Sequence, residues 1–228
     1  MKRRTLDIIL SGGGLMVAAL IAVLAFAVGT QYTFATDYVR TELGAQKIVF
    51  ATADKLTDAE KNWQPGSVCL TEYAGQALDS GAKAQCYAKY YIRKHMDASA
   101  TTAGFGGATY ATLGTIRTDL TAQINAAKQK GDSAAAADLQ KRFDAATSLR
   151  STMQTGETLS GLLLTTYGFS VLGDMAGLAS TLLYALAGVM LVVSVAGFVH
   201  AFVTPKDEVF MSLVLKQGVK QGVRTTPA

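Results

Sequence analysis

The chain has 228 residues, half of them hydrophobic, and a mean hydropathy of +0.24. A single soluble domain of this size is ordinarily less apolar, and the excess lies in two stretches near the ends of the chain. The formal net charge of +4 also lies at the two ends, because the long middle segment holds fourteen basic and fourteen acidic residues. This distribution of charge indicates membrane orientation and gives no support to nucleic-acid binding.

Two stretches are long enough to cross a bilayer as helices, and neither contains Asp, Glu, Lys or Arg. They cover residues 8–29 and residues 175–203, and about 20 apolar residues suffice for one crossing. Basic residues in the flanking tails, 1–7 and 204–228, place both termini in the cytoplasm by the positive-inside rule. We therefore expect a multi-pass protein of the cell membrane in which residues 30–174 form an extracytoplasmic domain.

A cleavable signal peptide is the alternative interpretation of the first apolar stretch. Lys2, Arg3 and Arg4 precede it as the basic region of a signal peptide would, and residues 25–27 (Ala-Phe-Ala) resemble a cleavage site. We expect the stretch to remain in the protein as a membrane anchor.

Both cysteines, Cys69 and Cys86, lie in the segment that we expect outside the membrane. A pair of cysteines in an oxidising compartment indicates a disulfide. Two independent buried thiols are the alternative, whereas metal binding is disfavoured because no histidine or further cysteine lies at ligand spacing around either one. The sequence therefore predicts a disulfide between Cys69 and Cys86, and it predicts neither a metal site nor a bound cofactor.

The middle segment is predicted to be all-α. The first helix continues beyond the bilayer to Gln46, and Thr57 with Glu60 forms a capping box that begins a short helix. Two further short helices, residues 68–78 and 83–96, carry the cysteines. Residues 98–109 are predicted to form a loop, because this stretch is rich in Ser, Thr, Gly and Ala.

A helical hairpin is predicted over residues 110–155, with its turn at 131–133. The apolar residues on both arms are three and four positions apart, and Gly131 followed by Asp132 and Ser133 supplies a helix stop and a cap. The predicted seam consists of Leu113, Ile116, Leu120 and Ile124 on one arm and Ala136, Leu139, Phe143, Ala146 and Met153 on the other. A separate juxtamembrane apolar helix over 157–172 is expected to end at Gly168 or Gly173.

No arrangement of residues typical of an enzyme is present, so we predict no catalytic residue. His95 and His200 are expected on opposite sides of the membrane and therefore cannot share a site. His95 follows Arg93 and Lys94, which favours a solvated surface position. His200 lies about one helical turn from the predicted cytoplasmic end of its span, which favours a packing role.

Small residues on the two spans predict close helix packing, because helices in lipid associate where their backbones approach closely. They are Ser11, Gly12, Gly13 and Gly14 in the first span and Gly188, Ser194, Gly197 and Ala201 in the second. Two uses are open, which are packing of the spans on each other and docking to partner subunits, and both could apply on different faces.

Four stretches carry a resemblance to known proteins: residues 3–7, 69–75, 156–163 and 198–207. They resemble a family of actinobacterial two-span membrane proteins, and the similarity runs through nearly the whole chain. Some relatives carry the label of an aromatic-ring-cleaving dioxygenase, but the sequence has no iron ligand set. The chain is also similar to the respiratory supercomplex association factor found with actinobacterial cytochrome bcc and aa3 oxidase.

The resemblance implies an accessory subunit without a cofactor, which stabilises the association of cytochrome bcc and aa3 oxidase subunits in the electron transport chain. An extracytoplasmic sensor or receptor-like protein is the alternative, since two spans flanking a helical domain are a receptor layout. The sensor is disfavoured because only residues 204–228 follow the second span, too few for a signalling domain.

Overall fold

The computed structural model describes residues 3–203, so the predicted tail at 204–228 lies outside the described residues. Within residues 3–203 the chain is helical apart from turns, and the only β pairing is one antiparallel bridge between Val49 and Ala77. The predicted all-α fold is confirmed for this part of the chain. The helices are α1 (Arg3–Ala45), α2 (Asp58–Lys61), a 3-10 turn (Pro65–Val68), α3 (Cys69–Glu72), α4 (Gly81–Cys86), a π-helix (Tyr87–Ile92), α5 (Arg93–Thr102), α6 (Tyr110–Gln129) and α7 (Ser133–Val203).

The chain divides into two compact units. The first, here called the span unit, combines Met1–Phe34 with Gly173–Ala228, and the second, the middle unit, is Ala35–Leu172. The span unit contains the apolar parts of α1 and α7, and these two helices are long and apolar enough to cross a membrane. The first helix was predicted to continue beyond the apolar stretch to Gln46, and α1 does continue, to Ala45.

The middle unit is built around a core of aliphatic and aromatic side chains. Leu70, Leu78 and Leu113 are almost completely buried. The Phe50 ring packs edge-on against the Tyr87 ring, with 5.3 Å between the ring centroids. Such aromatic pairs add directional attraction to the free energy that burial of apolar surface supplies.

The predicted hairpin turn is present between α6 and α7. Gly131 adopts the left-handed conformation that ends α6, and the Asp132 carboxylate accepts a hydrogen bond of 2.9 Å from the Ala135 backbone N–H at the start of α7. Leu149, which the predicted seam omitted, is buried in the core. Leu139 and Phe143 of the predicted seam are only partly buried.

The predicted helix over residues 68–78 is wrong, because α3 ends at Glu72. Gly75 adopts a left-handed conformation, and the chain beyond it is extended and pairs with another segment. The Phe50 N–H donates to the Gln76 carbonyl, and the Leu78 N–H donates to the Ile48 carbonyl, both at 2.9 Å. These hydrogen bonds take the place of helical ones. The apolar periodicity of residues 68–78 could not predict them, because their partners lie in a distant segment of the chain.

The next prediction placed a helix at 83–96 and a loop at 98–109. The structure is helical from Gly81 to Thr102 across α4, the π-helix and α5. Ser80 begins this segment earlier than predicted, because its side chain accepts a hydrogen bond from the Lys83 backbone N–H. The loop is correspondingly shorter.

A third prediction, a separate helix over residues 157–172, is also wrong. α7 continues without a break through Gly168 and Gly173, and neither glycine has a positive φ. A glycine inside a helix costs about 1 kcal/mol relative to alanine. This cost is small beside that of leaving several backbone groups of an apolar helix without hydrogen bonds.

The predicted disulfide is confirmed. Cys69 at the start of α3 is bonded to Cys86 at the end of α4, with 6.1 Å between the Cα atoms. The bond therefore ties together two short elements that could not bury much surface alone.

Replacing both cysteines, as Cys69→Ser with Cys86→Ser, should lower the free energy of unfolding of the middle unit by about 3 kcal/mol, because the unfolded chain regains the entropy of an open loop. Chemical denaturation of the full chain in detergent measures this change. Reductant should destabilise the parent protein by a similar amount and leave the double variant unchanged. Equal stability of the oxidised parent and the double variant would show that the disulfide contributes nothing.

Candidate functional site

In the span unit, glycines on each helix lie directly against serines on the other. A Cβ atom added to Gly14 would overlap the Ser194 hydroxyl, and one added to Gly197 would overlap the Ser11 hydroxyl. Ser11 and Ser194 are only 6% and 4% exposed. We call this contact between α1 and α7 the small-residue seam.

The seam extends along both helices. The Ser180 hydroxyl donates a buried hydrogen bond of 2.8 Å to the Ala25 carbonyl on the other helix, and a Cβ on Gly29 would also collide with the Ser180 hydroxyl. Such contacts combine close backbone approach with an interhelical hydrogen bond, and both favour helix association in lipid.

The eight small residues predicted from the sequence divide between two faces. Ser11, Gly14, Ser194 and Gly197 form the seam, where Ala201 is also fully buried, and Gly12 lies beside the Phe198 ring. Gly13 and Gly188 are exposed, and a Cβ added to either would meet no atom within 4 Å. Most of the predicted small residues are therefore used inside the chain, and these two are open to lipid or to a partner.

The sequence analysis missed a regular spacing that marks the seam. Buried small residues recur every seven positions on each helix: Ser11, Ala18 and Ala25 on α1, and Ser180, Ala187, Ser194 and Ala201 on α7. A sustained seven-residue repeat is the pattern of helices packed along a common seam. The predicted set included Ala201 but not Ala18, Ala25 or Ala187, so the repeat was not apparent from it.

His95, in the middle unit, has more contacts than the predicted solvated position implies. Its Nδ1 lies 2.8 Å from the Tyr91 carbonyl, its ring packs on the Tyr91 ring with 4.2 Å between centroids, and its Nε2 lies 3.5 Å from a Glu60 carboxylate oxygen. The side chain is nevertheless half exposed. His200 is exposed near the end of α7.

The pKa values of two groups are shifted: that of Glu60, which contacts His95, and that of Tyr87, whose ring stacks on the Tyr91 ring. Burial alone raises the pKa of the Glu60 carboxyl, but hydrogen bonds from the Thr57 hydroxyl and backbone N–H, together with electrostatic interactions with the neighbouring His95 and Lys94 side chains, lower that pKa overall. Burial, together with the neighbouring Tyr91, raises the pKa of Tyr87 to about 12. Tyr87 therefore stays neutral, and Glu60 stays ionised, through the physiological range.

Within residues 3–203, no group of three His, Cys, Asp or Glu side chains could hold a metal ion. The middle unit does contain a cavity of about 620 Å³ with a mixed lining. Its walls include Lys89, Arg93 and Asp97 on the helical segment from Gly81 to Thr102, and Glu157 and Ser160 on α7. Sequence reasoning singled out none of these as a site, since the two groups of residues are far apart in the chain.

Within residues 3–203 the protein is mostly helical, with one disulfide and two helices long and apolar enough to cross a membrane. Comparison of the chain with protein-family models, with curated proteins and with solved structures finds no match.

Substituting Gly197→Leu should lower the free energy of unfolding of the chain in detergent by about 1–3 kcal/mol or more, because the new side chain must displace Ser11 from the seam. The matched control is Gly188→Leu, the same change on the same helix where a Cβ meets open space. That variant should remain as stable as the parent. Equal destabilisation by the two substitutions, or by neither, would contradict the assignment of the seam.

Proposed function

We propose that the chain is a non-catalytic accessory subunit that stabilises the association of other subunits in a larger membrane complex. The observation that carries this proposal is an exposed apolar surface on α7 within the middle unit. Leu162 and Leu172 are 63% and 64% exposed, and Leu159 is 37% exposed. Exposed apolar residues gathered on one element mark a contact surface for protein or membrane.

Membrane insertion is supported by how little of the two apolar helices the protein itself buries. Only 17% of the most apolar window of α1, and 11% of that of α7, is buried. A core helix in a soluble protein would be mostly covered by protein atoms. The seam also argues against a cleaved leader, since removal of α1 would leave Ser180 and Ser194 without the helix that they pack against.

We further propose that both tails are cytoplasmic and that the middle unit lies outside. The basic residues of the sequence are in excess only at the two ends, which favours this orientation. A disulfide in the middle unit fits an oxidising compartment.

The apolar part of α7 is longer than a membrane crossing requires. Residues 175–203 alone extend roughly 43 Å as a helix, against a hydrocarbon thickness of about 30 Å. The exposed leucines at positions 159, 162 and 172 precede this stretch. We propose that a partner subunit, and not lipid, covers these three leucines. An accessory subunit would bind its partner through an exposed apolar surface of this kind.

The proposed partners follow from the resemblance of residues 3–7, 69–75, 156–163 and 198–207 to the actinobacterial family. They are the subunits of cytochrome bcc and aa3 oxidase in the respiratory supercomplex. Residues 156–163 include Leu159 and Leu162, so one of the four stretches coincides with the exposed apolar surface.

Purification of the tagged full chain from its native membranes, followed by mass spectrometry, tests the proposal. Oxidase and cytochrome bcc subunits should copurify with the parent chain. The double variant Leu162→Gln with Leu172→Gln should lower their recovery at least tenfold, because the contact would then bury unpaired amides. Val68→Gln, which alters another exposed apolar residue of the middle unit, should leave recovery unchanged.

Two outcomes would contradict the proposal. A histidine kinase or another signalling protein in place of the respiratory subunits would favour the sensor. Full recovery of the same subunits with the double leucine variant would remove the α7 surface from the contact.

A further inference from the structure

The cavity of about 620 Å³ in the middle unit is formed by two helical faces. One face carries Lys89, Arg93 and Asp97, which are four positions apart along the segment from Gly81 to Thr102. The other carries Glu157, Ser160, Gly161 and Leu164 of α7, at helical spacing. Trp63 and Gln64, in the turn after α2, complete the lining.

Part of the first wall is a π-helix. The cavity is lined there by Ala88, Lys89 and Tyr90, all within the π-helical stretch Tyr87–Ile92. Such turns are rare and occur frequently at functional sites, because they change the direction in which side chains leave the helix. The π-helix therefore distinguishes this cavity from a gap between two regular α-helices.

Ser160 provides a buried polar group in the second wall. The residue is 6% exposed, and its hydroxyl has no hydrogen-bond partner among residues 3–203. Hydroxyls nearby on the same helix, those of Thr155 and Thr165, donate to the carbonyl four residues earlier, which is the usual arrangement. Ser160 departs from it, and its hydroxyl is a polar group in the second wall that no described residue satisfies.

The charges in the cavity are balanced and spread out. Arg93 and Glu157 form an ion pair at 3.0 Å and so neutralise each other. The remaining charged side chains of the lining, Lys89 and Asp97, form no ion pair with a described residue. Their positions are eight residues apart, which corresponds to about 12 Å along a helix.

We propose that this cavity binds an extended peptide segment of a partner protein, with an acidic side chain at Lys89 and a basic side chain at Asp97. An extended chain advances about 3.3–3.6 Å per residue, and its side chains alternate between two faces. The first and fifth residues of a segment therefore carry their side chains on one face and cover the interval. A single amino acid or another small zwitterion is too short for both charges, and a phosphate group would meet the two carboxylates. Trp63 and Leu164 offer apolar contacts for the side chains between the charged ends.

This inference rests on the proposed function, because the segment belongs to one of the subunits that the chain holds. Binding of this segment in the cavity would make the contact with the partner subunit specific, which the exposed leucines alone would not. Those leucines supply contact area, whereas the cavity selects a segment that carries two opposite charges in a defined order.

Trp63 is the only tryptophan in the chain, so its fluorescence reports on the cavity directly. The full chain in detergent is titrated with two acetylated and amidated pentapeptides, Glu-Leu-Ala-Ala-Lys and its reverse, Lys-Ala-Ala-Leu-Glu. At least one should give a saturable change in emission. Analogues with Gln at both charged positions should bind at least tenfold more weakly.

The matched variants are Gly161→Leu and Gly168→Leu. A Cβ at either glycine meets no atom within 4 Å, so both substitutions fit the fold, but only Gly161 lines the cavity. Gly161→Leu should weaken peptide binding at least tenfold, and Gly168→Leu should leave it unchanged. Neutralisation of both charges, as Lys89→Gln with Asp97→Asn, should abolish the preference for charged peptides over their Gln analogues.

A parent protein that gives no saturable change with either charged peptide would overturn the inference, as would equal binding by the Gly161→Leu variant. These failures are distinguishable from failure of the proposed function. If the respiratory subunits copurify while the peptides do not bind, the cavity inference fails alone. If the peptides bind while no subunit copurifies, the proposed function fails instead.

Discussion

Close packing of small residues between α1 and α7 is the interaction on which the span unit depends. At the glycines, serines and alanines of the seam, the two helices meet through hydroxyl groups, methyl groups and backbone atoms. In lipid the hydrophobic effect does not drive apolar helices together, so van der Waals contact at short range and interhelical hydrogen bonds must do so. The seam provides both interactions. The helices approach so closely at Gly14 and Gly197 that a Cβ atom would overlap the opposite serine, and the Ser180 hydroxyl donates a hydrogen bond to the Ala25 carbonyl.

The same two helices also contribute to the core of the middle unit. Val39 and Leu43 near the end of α1, and Ala146 and Met153 in the first part of α7, are buried there. The disulfide and the aromatic contacts around Phe50 and Tyr87 stabilise the shorter elements of this core.

Sequence patterns predicted the elements whose cause is local or strongly periodic. Apolar length predicted the two candidate spans within α1 and α7, Thr57 with Glu60 predicted a capping box that the structure contains, and Gly131 predicted the hairpin turn. The errors arose where distant residues decide the outcome. The extended chain beyond Gly75 depends on hydrogen bonds to the segment around Phe50, and the continuity of α7 through Gly168 depends on the helix as a whole. The cavity joins Lys89 to Ser160, and no single-sequence pattern links residues so far apart.

We propose that the two helices joined by the small-residue seam cross a membrane, with the middle unit on its outer side. Labelling of single introduced cysteines with an impermeant thiol reagent on intact cells tests this most directly, since the two native cysteines are bonded to each other. The account predicts that a cysteine at Ser133, at the exposed hairpin turn, is labelled and that cysteines at Thr5 and Thr225 are labelled only after lysis. Labelling of Thr5→Cys and protection of Ser133→Cys on intact cells would contradict it.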